Sequence, residues 1–193
     1  MWVRGTAIRP VPSYARVSAG AVDVLRRELS EDEDDIRSRL DEAYERFERE
    51  QPELASYLGE ALEDSLDETA LALGYFLTLV VWMTFEQAHR GEVAAVTREA
   101  LDAAAQSLDL DEQLRKRDPA DSLDTDDVVG MEQPAVITLV HEHVDATLEA
   151  HGDETDVDHV HRVFRLVLVE VLALSYAVRP PVGFPVGKSE MLA

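Results

Sequence analysis

Sixteen consecutive residues without a charge, Ala70 to Phe85, stand in a chain of 193 residues whose formal net charge is −22. Hiding apolar surface from water is worth about 25 cal/mol per Å², so a run this long has to be covered. As a helix it would measure about 24 Å at roughly 1.5 Å per residue, short of the roughly 20 residues that span a bilayer. Its flanks, Asp67, Glu68 and Glu86, are acidic, and no membrane span is expected. The run reads as the buried central helix of an all-α domain, around which amphipathic helices pack.

Those helices are marked by apolar spacing and by their ends. Ser18 caps a short helix carrying Val22, Leu25 and Leu29. Ser30 and Glu33 form a capping box before Ile36, Leu40, Ala43, Tyr44 and Phe47, one apolar stripe. Pro52 opens a helix with Leu54, Tyr57, Leu58, Ala61 and Leu62, since a proline at the first turn forfeits no helical hydrogen bond. Ser65 to Glu68 offers another box before the central helix, and Gly91 ends it as a left-handed cap. A helix over about 92–108 places Val93, Val96, Leu101, Ala104, Ala105 and Leu108 inward, with a short extension through Leu114. Residues 117–130 are acidic, contain Pro and Gly, and read as a loop. Pro134 opens a helix through Val136, Ile137, Val140, Val144 and Leu148 that stops at Gly152, and a second strongly apolar helix covers about 157–178.

Glu-Gln-Pro occurs twice, each time before an amphipathic helix, an acidic loop and an apolar helix. Pro52 and Pro134 match at an offset of 82, Phe76 and Phe164 at an offset of 88. The expectation is a single bundle of about seven helices built from two similar hairpins, about 50–90 and 132–178, with a pseudo-two-fold arrangement. Ala70, Gly74 and Thr78 make a strip of small residues on which a partner helix can seat, with Leu166 or Leu172 as candidates to fill it. An extended arm, 1–18, precedes the helical domain, 19–178, and a Pro/Gly-containing tail, 179–193, follows it.

The composition narrows function more than it identifies it. A surface this acidic opposes nucleic acid, whose phosphates need basic groups, and favours a basic protein partner. There is no cysteine, which removes disulfides, thiol nucleophiles and thiolate metal sites. No signal-peptide pattern begins the sequence, so a cytoplasmic location is expected. Gly187-Lys188-Ser189 is only the tail of a phosphate-loop pattern, and no cofactor motif is found.

Three groups of residues have chemistry to offer. Glu86 and His89 share one helical face in a Glu-x-x-His pattern, but the aligned positions in the second hairpin are Leu174 and Ala177, so no paired-metal site is expected. His141 and His143, with His159 and His161, are two His-x-His pairs. Alternate residues on a helix diverge, so a metal would need one His from each pair, with Glu142 or Asp145 as a third ligand. Glu170 interrupts the second apolar helix and, if buried, must be neutral or paired with Arg162, Arg165 or another Arg.

The tail's Pro181, Val182, Phe184 and Pro185 form an apolar, extended, polyproline-like segment suited to docking in a groove, in cis or on another chain. Ile8, Val11 and Tyr14 give the amino-terminal arm a similar character. The reading is therefore a non-catalytic, acidic helical interaction protein that binds a protein partner or itself. The alternative is a metal-binding helical protein using the histidines and carboxylates of the second hairpin.

Overall fold

The computed structural model describes residues 6–30, 33–63, 66–117, 123–152 and 155–184. Among them are eight α-helices and no strand longer than an isolated bridge: α1 Ala19–Glu28, α2 Glu33–Glu50, α3 Pro52–Leu62, α4 Glu68–His89, α5 Arg98–Arg117, α6 Thr125–Glu132, α7 Pro134–His151 and α8 Val157–Ala177.

The chargeless run forms α4 and lies at the centre. Its carboxyl-terminal half, from Leu77 to Phe85, is buried on every side, whereas Ala72 and Tyr75 near its start face out. By length and composition α4 could cross a bilayer, but 67% of its most apolar window is buried inside the bundle. It packs most extensively on α8, and the two helices run parallel. At their starts Asp67 Oδ2 accepts from the Asp156 amide at 3.0 Å. At their ends Ala94 N donates to Ala177 O at 2.9 Å and Arg179 N to Glu92 O at 2.8 Å, an antiparallel bridge centred on Val93 and Val178. A strictly antiparallel up-down bundle would not bring both amino termini together.

The strip of small residues is used, with different partners from those expected. A Cβ on Gly74 would lie 2.4 Å from Leu62 Cδ2 and 3.4 Å from Val163 Cγ2. Thus Leu62 of α3 and Val163 of α8, not Leu166 or Leu172, fill the groove at Gly74.

Helix ends follow local chemistry. Ser18 caps α1 by accepting from Ala21 N, and Asp67, one residue before Glu68, caps α4 by accepting from Ala70 N at 2.8 Å. The boxes expected at Ser30–Glu33 and Ser65–Glu68 fall partly outside the described residues. Arg90 (φ 40°) and Gly91 (φ 84°) both turn left-handed after α4, where glycine carries no Cβ penalty. Pro52 and Pro134 open α3 and α7 as expected.

Three expectations are corrected. The helix drawn over 92–108 begins at Arg98; residues 92–97 run extended because Ala177 and Gln51 take their backbone groups. The loop drawn over 117–130 contains the start of α6, a helix held by a reciprocal capping box between Asp124 and Asp127 and by burial of Val128 and Val129. That helix raises the count from seven to eight. The tail is not a continuous extended segment: Phe184 N donates to Pro181 O at 3.0 Å around Gly183 (φ 83°), closing a tight turn.

Candidate functional site

Two junctions organise the buried polar chemistry, and both are built on the residue before a helix-opening proline. Gln51 (φ −131°, ψ 54°) and Gln133 (φ −131°, ψ 61°) share one backbone conformation and are almost fully buried. Gln51 donates Nε2 to Ala94 O at 3.1 Å and accepts at Oε1 from Val96 N at 2.8 Å. Gln133 donates Nε2 to Ala15 O at 2.8 Å and to Ser175 Oγ at 2.8 Å, and accepts from Val17 N at 3.0 Å. Each amide side chain thus does for a strap what a neighbouring strand would do, satisfying one donor and one acceptor; the amino-terminal arm expected to be extended is interrupted by a 3-10 turn at Ser13–Ala15, closed by Ala15 N donating to Pro12 O at 2.9 Å. Each strap runs directly into a capped helix, α1 capped by Ser18 and α5 by Thr97, whose Oγ1 accepts from Ala100 N.

The amino-terminal strap is pinned along its whole described length. Thr6 Oγ1 and Ala7 N donate to Asp111 Oδ1 at 2.6 and 3.0 Å. Val11 N and Arg16 donate to Glu132 Oε2 at 3.0 and 2.8 Å. Tyr176 donates its hydroxyl to the Arg9 carbonyl, and the Arg9 guanidinium lies over the Tyr176 ring. Ile8, Val11, Ala15 and Val17 are buried in the core. This arm is a strap on its own bundle.

Asp111 is wholly buried and fully satisfied, because Arg115 Nε (2.6 Å) and Thr125 Oγ1 (3.0 Å) complete its shell. Burial alone would raise its pKa; the hydrogen bonds from Arg115, Thr6, Ala7 and Thr125 outweigh this and hold it below the usual carboxylate value. Glu170 is the opposite case. It is wholly buried, neither carboxylate oxygen has a partner, and burial pushes its pKa well above the ordinary value. The arginine pairing expected for it does not form: Arg165 instead binds Asp109 and Glu112.

The histidines disperse. His141 packs on Phe164 and His143 edge-on against Phe76. His159 joins Asp67, with its Nδ1 within 3.0 Å of Oδ2, and His161 is exposed. Among the described residues no group of three or more His, Asp or Glu is placed to hold a metal ion. Glu86 is bound by Arg46 at 3.2 Å, while His89 packs on Phe85 and is lowered in pKa by burial, opposed by a hydrogen bond with the Ala15 backbone.

Of the tail residues singled out, Pro181 and Val182 are exposed, Val182 completely. Phe184 is half-buried against Tyr14, with ring centroids 4.9 Å apart. Pro185 lies outside the described residues.

Asp111, Glu132, Gln51 and Gln133 were not anticipated. Asp111 had a signal: Leu101, Ala104, Leu108 and Asp111 continue one buried stripe at steps of three, four and three. No protein-family model matches the chain, and neither a curated protein nor a solved structure matches it significantly.

Proposed function

We propose that the chain is a duplicated four-helix unit whose halves hold each other's straps, and that it acts as a non-catalytic acidic scaffold presenting its carboxyl-terminal tail to a partner protein. Support for the duplication comes from corresponding parts. Strap, capped helix, helix, Gln-Pro junction, helix and central helix recur in order, as α1–α4 and α5–α8. Gln51 of the first half holds the strap of the second at 94 and 96, and Gln133 of the second holds that of the first at 15 and 17. The parallel course of α4 and α8 suits an approximate two-fold axis running between them. The repeat is therefore longer than the Glu-Gln-Pro hairpin alone.

The partner reading rests on Val182. A fully exposed valine at the tip of a turn is held in place by Gly183 behind it and by the Phe184–Tyr14 contact. Presenting an apolar side chain on an ordered turn lowers the ordering cost of binding. The acidic surface adds attraction for basic partners that weakens as salt rises. The test is co-purification from the native host with the full chain, its Val182→Asp variant and a chain ending at Arg179. A partner that is retained by the full chain and reduced about tenfold or more by either change, the loss of roughly 1.4 kcal/mol, supports the proposal. Equal recovery with all three removes the tail from the binding surface.

A further inference from the structure

A small cleft of about 120 Å³ opens between α2, α3 and α4. Tyr44 and Phe47 line it from α2, Gly59 from α3, Glu63 from just after α3, and Tyr75 and Thr78 from α4, with aliphatic side chains beneath. Its features share one polarity.

Tyr44 and Tyr75 are 41% and 39% exposed, although both belong to otherwise apolar faces; they stand at the mouth while Phe47 lies buried within. Gly59 has open space around it, since a Cβ there would meet nothing within 4 Å. Thr78 is 5% exposed and its Oγ1 has no hydrogen-bond partner. Among the buried hydroxyls on the described helices this sets it apart. Thr84 and Ser175, the other buried helical hydroxyls on α4 and α8, each return theirs to the carbonyl four residues earlier, Val80 and Val171, at 2.6 Å. Glu63 contributes an exposed carboxylate, and none of the lining side chains is basic.

Aromatic rings and a carboxylate both favour positive charge. The walls are nevertheless largely apolar, and a bare ammonium or metal ion would lose its hydration there without enough oxygen ligands to replace it. A cation clothed in methyl groups meets both conditions, because it is weakly hydrated and its methyls pack on ring surfaces. The volume is somewhat below the roughly 150 Å³ of a cavity that admits benzene, so it suits one head group and not a drug-sized molecule. We propose that this cleft binds a methylated ammonium group, taken from a free small molecule or from a methylated lysine side chain. The site is separate from the tail surface and does not depend on it.

The experiment is a nuclear magnetic resonance titration of the full chain with choline chloride, and in parallel with 3,3-dimethylbutan-1-ol, its uncharged carbon analogue. A peptide bearing trimethyllysine forms a third arm. Choline should shift the Gly59 amide and the Tyr44 and Tyr75 ring signals saturably, and more tightly than the alcohol. Tyr44→Ala and Tyr75→Ala should each weaken binding about tenfold, the loss of one desolvated cation–ring contact. Both side chains are partly exposed, so the core survives their removal. Gly59→Leu provides a second variant that fills the open space without deleting a contact, and it should abolish the shifts. Tighter binding of the peptide than of choline assigns the head group to a protein partner; the reverse assigns it to a free solute. Equal binding of choline and the alcohol, or no saturable shift at these residues, overturns the proposal.

Discussion

Replacing Glu170 by leucine is expected to stabilise the protein at neutral pH by about 1–3 kcal/mol, the desolvation cost of burying a polar group that finds no hydrogen-bond partner. The side chain is completely buried on α8, both oxygens lack partners, and burial holds the proton on well above the ordinary carboxylate range. In the unfolded chain the same group titrates near about 4.3. The folded state therefore binds the proton more tightly. Stability linked to this group is whole below the unfolded value and is lost as pH rises towards the folded value. Leucine has no proton to lose, so the advantage of Glu170→Leu over the native chain should widen with pH. Urea unfolding of both proteins at about pH 5 and about pH 8 measures it. A variant less stable than the native chain at both values would show that the carboxyl group makes a contribution this structure does not contain.

Asp111→Ala should do the reverse, and strongly. Asp111, like Glu170, has no solvent exposure, but it is the hub of five donated hydrogen bonds, from Thr6, Ala7, Thr125 and, twice, Arg115. Removing the carboxylate breaks the pair with the Arg115 side chain, which is only 8% exposed. Breaking a buried pair in this way costs about 3–5 kcal/mol. The pH dependence has the opposite sign. The folded pKa lies below the unfolded value of about 3.9, so the contribution is present above that value and is lost as pH falls through the folded one. The difference between native chain and variant should thus shrink on acidification, as seen by thermal unfolding across acidic pH. A loss below about 1 kcal/mol at neutral pH would place Asp111 among ordinary surface-like ion pairs and contradict its role in anchoring the strap.

The parts of the fold that were legible in the sequence are those decided locally. A chargeless run of sixteen residues has to be buried wherever it sits, and α4 is at the centre. Ser18, Pro52, Pro134 and Gly91 act on their own backbone and were readable one residue at a time. The extended segment 92–97 was not, because Val93 and Val96 are spaced as if on a helix. What straightens it is the distant pair Gln51 and Ala177. Helix α6 hid for a similar reason: Thr125-Asp-Asp-Val-Val-Gly has two adjacent apolar residues and no period, and its stability comes from an aspartate box and from packing on the bundle. The tail's turn depends on Gly183, which the prolines around it obscured.

The candidate site was read less well than the fold. The repeated Glu-Gln-Pro drew attention to its prolines, while the buried chemistry belongs to the glutamines before them. Histidines and Glu170 stood out as residue types with catalytic or ligating potential, yet the histidines found separate partners and Glu170 found none. The cleft beside Tyr44 and Tyr75 needs three helices to exist, and no single stretch of sequence carries it.

The proposed exchange of straps between halves is tested most directly by amide hydrogen exchange in Gln51→Ala and Gln133→Ala. In the first variant protection should fall at Val96, in the second half, and persist at Val17. In the second it should fall at Val17, in the first half, and persist at Val96. Loss of protection confined to the mutated half, or unchanged protection at both valines, would contradict the account.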